Sequence, residues 1–386
     1  MQRLKYGLNP HQQFAAMSAV DEASAPLRLL NGAPSFINVL DALNGWQLVR
    51  ELRQALSLPA AASFKHVSPA GAALAVPLGE DLARSYEVAG AELTPLATAY
   101  VRARGADPKC SFGDFVALSD EVDEATAQYL KGVVSDGVVA PGYSEKALSI
   151  LKGKKNGAFI VLEADPAFEP PPREVREVWG VRLTQDRNAR VLTRQDLSDV
   201  RCGALHPDAE RDLLLGLITL KYTQSNSVGY AWQGQMTGIG AGQQSRVDCT
   251  KLAGAKSDVW HLGHHPKVLG LAFKPEIKRQ DRINWRIRYI EGDLTSSERA
   301  AFDAALEAPA AALSSDEKHT FLAAVSGVSL TSDGFIPFRD NIDHAAKHGV
   351  SFIAQPGGST RDAEVEAACL EYGMTMVHTH VRLFHH

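Results

Sequence analysis

Short apolar runs alternate with amphipathic stretches along this chain, and the alternation runs twice, which restricts the fold more than any other property of the sequence. Residues 61–64, 115–118, 133–140 and 158–163 read as buried strands, separated by helices near 69–76, after Asp120 and after Ser144. Ahead of them, Val39, Leu40, Leu43, Trp46, Val49, Leu52 and Leu56 recur at the three-and-four spacing of an amphipathic helix over 38–56. A second series starts with a helix through Leu213, Leu214, Leu215 and Ile218, then strands 228–232 and 235–239 about Gln233-Gly234, then a helix near Ser245-Arg246. It closes with strands 327–331, 350–354 and 374–378 and helices after Asp340 and from about Thr360. This β/α alternation predicts an α/β protein. Ser135-Asp-Gly-Val-Val-Ala-Pro141 and Ser332-Asp-Gly-Phe-Ile-Pro337 read as one strand-ending loop present in both series, which predicts an internal duplication. The boundaries that follow are a first lobe at 1–170, a connector at 171–206 beginning in Glu169-Pro-Pro-Pro-Arg173, and a second lobe at 207–386 with a helical insertion at about 255–325.

Composition excludes several classes of function. A chain of 386 residues with 45% hydrophobic content buries a large core. Its apolar runs are too short and too often charged to cross a bilayer and the N-terminus has no signal-peptide pattern, so a cytoplasmic protein with no membrane partner is expected. Cys110, Cys202, Cys249 and Cys369 are far apart with no Cys-x-x-Cys, which argues against a disulfide framework or structural zinc. Net charge is −5, and no basic run is interleaved with aromatics, so no nucleic-acid partner is expected. Neither a Walker loop nor the His-x-Glu and Pro-Cys-x-x-Cys zinc pattern of nucleobase deaminases occurs, and no metal site is predicted.

The stretch Lys65-His66-Val67-Ser68 sets a cation and a proton carrier at the end of a strand. Ser68-Pro69 reads as a helix start, with Ser as N-cap and Pro at the first helical position, so developing negative charge would meet free N–H groups there. A histidine can take a proton from a nucleophile and a lysine can steady an oxyanion, the equipment of acyl or formyl transfer. The same spacing also suits a solvated lysine beside a histidine satisfied by local backbone. Tyr222-Thr-Gln-Ser-Asn-Ser-Val228 is polar between two apolar segments, either a capping loop or a loop in which Asn226 meets an amide-bearing substrate. Gly238-Ile-Gly-Ala-Gly242 lacks the third glycine of a dinucleotide fingerprint and reads as a turn feeding a helix at Arg246, which is either solvated or placed to grip a carbonyl or carboxylate. The tail Arg382-Leu-Phe-His-His386 reads by default as a frayed end.

Eight segments together resemble the AICAR transformylase (phosphoribosylaminoimidazolecarboxamide formyltransferase) part of bifunctional purine-biosynthesis enzymes. They are Lys5-Tyr-Gly-Leu-Asn-Pro-His-Gln12, Asn31-Gly-Ala-Pro34, Phe64-Lys-His-Val-Ser-Pro-Ala-Gly71, Ser111-Phe-Gly-Asp-Phe115, Lys221-Tyr-Thr-Gln-Ser-Asn-Ser-Val228, Gly238-Ile-Gly-Ala-Gly-Gln-Gln-Ser-Arg246, Phe338-Arg-Asp-Asn341 and the tail from Arg382. The resemblance implies two tandem cytidine-deaminase-like lobes without zinc. It implies formyl transfer from 10-formyltetrahydrofolate to the 5-amino group of AICAR, giving FAICAR in de novo IMP biosynthesis. Lys65 would stabilise the tetrahedral oxyanion and His66 would accept the proton. Lys5, Tyr6, Lys155 and Arg382 would hold the phosphate end of the ribonucleotide, and Asn44, Gly113, Asp136, Asn226, Arg246 and Phe335 its base and carboxamide. Val247, Asp340, Ser359 and Thr360 would face the folate. The resemblance further implies a homodimer with sites shared across the interface, and allows a structural potassium ion held mainly by backbone oxygens.

Two departures from the family pattern stand out. Lys5 replaces an expected Arg, exchanging a bidentate fork for a point charge. The sequence begins at the first transformylase motif, so the IMP cyclohydrolase domain is expected to be absent and ring closure to come from another protein. Two other classes compete with formyl transfer: zinc-independent hydrolysis or cyclohydrolysis of a related nucleotide, and a non-catalytic nucleotide or folate sensor. Hydrolysis would need no folate donor, and a sensor would need no proton acceptor.

Overall fold

A computed structural model describes residues 1–21 and 24–386. A short ribbon of β1 (Gln2–Arg3) and β2 (Ala16–Met17) leads into β3 (Leu27–Asn31) and the long helix α1 (Phe36–Leu56). Ser35 opens α1 in a capping box with Asn38, and Ser57 ends it in the left-handed region at φ 57°. Next come β4 (Ala60–Lys65), β5 (Ser68–Leu74), α2 (Glu80–Ser85), α3 (Pro95–Gly105), β6 (Asp114–Leu118), α4 (Glu124–Lys131), β7 (Ser135–Ala140), α5 (Glu145–Gly153) and β8 (Ile160–Ala164). After an exposed ribbon of β9 (Arg173–Val178) and β10 (Val181–Asp186) come β11 (Asp199–Cys202), α6 (Pro207–Lys221), β12 (Val228–Trp232), β13 (Gln235–Gly240) and α7 (Arg246–Leu262). Four helices follow: α8 (Pro266–Leu269), α9 (Arg279–Glu291), α10 (Ser296–Ala305) and α11 (Ser315–Leu322). The chain closes with β14 (Val328–Ser332), α12 (Asp340–Ala345), β15 (Val350–Gln355), α13 (Asp362–Glu371) and β16 (Thr375–His378).

Twelve strands form one mixed sheet, in the order β11-β16-β15-β14-β12-β13-β5-β4-β6-β7-β8-β3. From the centre outward, each half repeats one scheme. A hairpin (β4–β5 or β12–β13) pairs antiparallel with the next strand (β6 or β14), two parallel strands follow, and an antiparallel strand (β3 or β11) closes the edge. The halves join where β13 runs antiparallel to β5, through the single pair Gln235 and Ala73. They therefore point in opposite directions. The sheet end that carries the amino ends of β6, β7 and β8 also carries the carboxyl ends of β14, β15 and β16.

Helices cover both faces. The face of α1 and α6 buries Leu48, Leu52, Phe64, Leu214 and Leu217 completely. The opposite face is split between a core under α3, α4 and α5, with Tyr100 and Leu130, and one under α7, α12 and α13, with Tyr230 and Ile342. Helices α8–α11 hold a satellite core around Phe302. At about 25 cal/mol per Å² of apolar surface, completely buried Leu and Phe side chains contribute about 2 kcal/mol or more each.

Several elements differ from the sequence reading. Residues 69–76 do not open a helix at Ser68-Pro69; Ser68 begins strand β5, and Pro69 lies inside it. The helix expected after Asp120 starts at Glu124 behind the cap Asp123, whose carboxylate accepts from Thr126 N at 2.7 Å. The tract read as plain connector contains the β9–β10 ribbon and edge strand β11. The two Ser-Asp-Gly segments are not equivalent, because Ser135 starts β7 whereas Ser332 ends β14. The tail is docked, with Leu383 N donating to Asp333 O at 2.8 Å and Leu383 1% exposed.

Candidate active site

Lys65 and Ser68 pair across a two-residue hairpin turn, with His66 at φ 54° and Val67 at φ 60°. Such turns need positive φ at both central positions, which Asn-Gly supplies without strain and His-Val does not. A β-branched residue there is strained, and strain of this kind concentrates at functional sites. The carboxylate of Asp41, on α1, fixes the turn by accepting from Val67 N at 2.7 Å. Burial pushes the Asp41 carboxyl up to about 6, against the opposing pull of the Val67 N–H and the Lys65 charge.

Lys65 Nζ donates to the carbonyls of Phe112 and Gly113, each at 3.0 Å. An ammonium has three donors, so one N–H is left for a ligand. Gly113 sits at φ 72°, and a Cβ there would lie 3.1 Å from Lys65 Nζ. Behind this loop, Asp114 is completely buried, paired to Arg104 at 2.8 Å and accepting from Ser63 Oγ at 2.7 Å. His66 is exposed and makes no side-chain hydrogen bond among the described residues. Lys155 pairs with Asp136 at 2.7 Å at the start of β7, both partly exposed. Lys5 and Tyr6 are tied to the start of α1, Lys5 N donating to Pro34 O at 2.9 Å and Tyr6 O accepting from Phe36 N at 3.1 Å. Asn44 lies further along α1 and spends its amide on Leu40 O at 2.9 Å.

A second group forms where β12 begins and β14 ends. Arg246 Nη2 donates to Asn226 Oδ1 at 2.8 Å, and Asn226 Nδ2 donates to Gln243 O at 2.9 Å. Arg246 also binds the completely buried Asp333, whose other oxygen accepts from Ser225 Oγ at 2.6 Å and Ser227 N at 2.9 Å. Ser225 Oγ in turn accepts from His385 N at 3.1 Å, so one carboxylate organises the Asn226 loop and the C-terminal tail together. Phe335, Phe384 and Arg382 are exposed beside it, the Arg382 guanidinium 4.6 Å from the Phe384 ring centre. Val247 is half-buried on the first turn of α7; Asp340 is exposed at the start of α12, and on the loop after β15 Thr360 is exposed and Ser359 half-buried. Gln355, completely buried, holds the loop after β14 by accepting from Ile336 N at 2.8 Å.

Most of the expected residues thus gather at the sheet end defined above, on loops and turns at strand termini or, for Lys5 and Tyr6, at the start of α1; Asn44 stands further along that helix. The two groups touch where Gln224 N meets Ser68 Oγ at 3.5 Å. The helix N-terminus expected to assist Lys65 is replaced by the hairpin, and in the first half the gathered residues lie at the amino ends of the parallel strands. Asp41, Asp333, Ser225 and Gln355 escaped the sequence reading, because their partners lie far away in sequence. Of these, Ser225 and Asp333 lie inside segments the sequence singles out, the polar loop at 222–228 and the Ser-Asp-Gly stretch at 332–337. Among the described residues no three His, Cys, Asp or Glu side chains are grouped to hold a metal ion, and no helix is long and apolar enough to cross a membrane.

A family model described as the AICARFT/IMPCHase bienzyme matches residues 1–256. The bifunctional purine biosynthesis protein PurH of Magnetococcus marinus is 32% identical over 392 aligned residues, which cover 100% of this chain and 60% of that protein. The proteins of the same description from Cereibacter sphaeroides and Aquifex aeolicus are 31% identical, with the same coverage. The chain spans about 60% of the length of these curated relatives.

Proposed function

The chain belongs to the AICARFT/IMPCHase bienzyme family, and on that premise we propose that it acts in purine biosynthesis by moving the formyl group of 10-formyltetrahydrofolate to the 5-amino group of AICAR. The observation that carries this reading is the pairing of Lys65, its ammonium pinned by two carbonyls with one N–H to spare, with an unengaged His66 in a strained turn. The substrate amine is a weak nucleophile, its lone pair delocalised into the imidazole. Asn226 and Arg246 orient the carboxamide and with it the amine, a positioning term worth several kcal/mol. As the amine nitrogen bonds to the formyl carbon, His66 takes the amine proton and Lys65 steadies the negative oxygen. The carbon–N10 bond then breaks, and His66 returns the proton it took to N10 as the folate leaves. Lys5, Lys155 and Arg382 supply cations for the phosphate, and Val247, Asp340, Ser359 and Thr360 face the folate.

The repeated strand scheme supports reading the two halves as tandem cytidine-deaminase-like lobes, divided by the stretch at 171–206. A homodimer with shared sites and a cytoplasmic location belong to the same proposal. A potassium ion would need a cradle of backbone oxygens. One such cradle, formed by the carbonyls of Leu130, Lys131 and Val133, is filled by the Lys154 ammonium, 2.7 Å from Leu130 O.

An ultraviolet assay with AICAR and 10-formyltetrahydrofolate tests the reading. Turnover should require the folate donor and fall about a hundredfold or more in Lys65→Ala and in His66→Ala, with circular dichroism unchanged. Turnover without the donor, or full activity in either variant, overturns it.

A further inference from the structure

Away from the site, the helical insertion of the second half closes over the first half and encloses a cavity of about 660 Å³. Its walls are α3 and the loops at 85–87, 105–110 and 132–134 on one side, and α7 and α9 on the other. That volume suits a small organic molecule, and apolar and aromatic surface lines it beside a ring of charged groups. Tyr86, Tyr129 and Trp260 supply rings, and Val259, Ile283 and Ile287 supply aliphatic surface.

Its charge is one-sided. Six Lys and Arg side chains line it against three carboxylates, Glu87, Asp107 and Glu291; Arg104 is neutralised by Asp114 behind the wall, which leaves five cations to three anions. Glu87 alone serves Arg282 at 2.6 Å, Arg286 at 2.7 Å and Arg279 at 3.6 Å, so the guanidinium cluster keeps a positive excess. Among the described residues, His264 Nε2 also lies buried with no hydrogen-bond partner, and Arg279 Nε has no hydrogen bond beyond its 3.6 Å ion pair with Glu87; both residues line the cavity. A cation excess and unused polar atoms around aromatic walls match one ligand chemistry, a flat aromatic body bearing one negative charge.

One wall leads to the candidate active site. Asp107 and Lys109 line the cavity and are fastened across it, to Lys256 at 3.0 Å and Glu291 at 3.1 Å. Successive turns, Ser111 N to Asp107 O at 2.9 Å and Asp114 N to Ser111 O at 3.2 Å, join them to Phe112 and Gly113, whose carbonyls hold Lys65.

We propose that this cavity is an effector site for a planar aromatic monoanion, coupled to the candidate active site through the loop at 107–113. The coupling rests on the role given above to Lys65; the binding does not. The probes are 1-anilinonaphthalene-8-sulfonate and its uncharged relative N-phenyl-1-naphthylamine, titrated by calorimetry and fluorescence against the full chain. The sulfonate should bind once per chain and at least tenfold more tightly than the neutral compound. Ala255→Trp, which fills the cavity from an exposed position, should weaken it tenfold or more, with Leu252→Trp as a second filling variant. Lys278→Glu should remove the preference for the anion. Hydrogen exchange at residues 107–113 should slow on binding in the wild type and not in Ala255→Trp, a readout independent of turnover. Equal binding of the two probes, or binding untouched by both filling variants, overturns the site. Unchanged exchange at 107–113 overturns the coupling. Light scattering that shows Ala255→Trp splitting an oligomer would assign the cavity to a second copy of the chain and overturn the small-molecule reading.

Discussion

Asp41 and Asp212 hold equivalent places in the two halves: each rises from the helix before its hairpin and accepts the N–H of the second turn residue, Val67 or Gly234, at 2.7 Å. Burial raises both carboxyls above their ordinary value. In one half the turn so held is His66-Val67, in the other Gln233-Gly234.

The raised Asp41 carboxyl gives a signed pH dependence. Between its ordinary value of 3.8 and about 6 the folded protein keeps a proton that the unfolded chain releases, so its contribution to stability falls as pH rises through that window. Asp41→Asn keeps the acceptor for Val67 and cannot ionise. Urea titrations from pH 4 to pH 7 should show the variant gaining on the wild type by about 3 kcal/mol across the window, then levelling. A difference that stays flat with pH would place the Asp41 titration elsewhere.

Replacing the strained turn should separate stability from activity. His66→Asn with Val67→Gly supplies the residues this turn geometry favours, relieving about 1–2 kcal/mol at Val67 against about 0.5–1 kcal/mol of added glycine entropy. The double variant should be about as stable as the wild type or about 1 kcal/mol more so, with turnover about a hundredfold lower. A large loss of stability would show that the turn is relaxed as it stands.

Gly113→Ala should act chiefly through Lys65. The new Cβ would crowd Nζ at 3.1 Å and take up φ 72°, so the ammonium must shift. Expected are a loss of about 1–2 kcal/mol in stability and a drop in kcat of about tenfold with little change in KM. A rise in KM alone would make Gly113 a binding residue and leave Lys65 undisturbed.

Shared sites can be tested by subunit exchange. Lys65→Ala and Asn226→Ala chains, each inactive alone, should regain about a quarter of wild-type activity when mixed, since half the dimers are mixed and each of those has one intact site. Native mass spectrometry establishes that exchange took place. No recovery after exchange would confine each site to one chain, in keeping with the contact between Ser68 and Gln224.

What the sequence could express was local. Gln233-Gly234 announced its hairpin because glycine is cheap at positive φ, whereas His66-Val67 broke the same rule and Ser68-Pro69 copied a helix start. The motif residues around Lys65, Asn226 and Arg246 were legible as words, and the structure sets most of them at one end of a single sheet. Edge strands β3 and β11 went unread because strand pairing is decided by distant segments. Asp333 was hidden for the same reason, its partners lying between residues 225 and 246. The two Ser-Asp-Gly segments fall on different strands, Ser135 starting β7 and Ser332 ending β14, and what the halves share is their strand order.

The seam between β5 and β13 has a consequence for how such a chain can diverge. One residue pair and the bond from Leu74 N to Gly234 O at 2.9 Å are the backbone ties there, supplemented by side chains such as Lys221, bound to Glu51 at 2.6 Å. The halves meet as two subunits would, and the segment between them acts as a tether that keeps each at a high effective concentration around the other. Joined in this way, neither half must be self-sufficient: one turn can be a relaxed Gln-Gly that serves only as scaffold, while its counterpart keeps the strained His-Val.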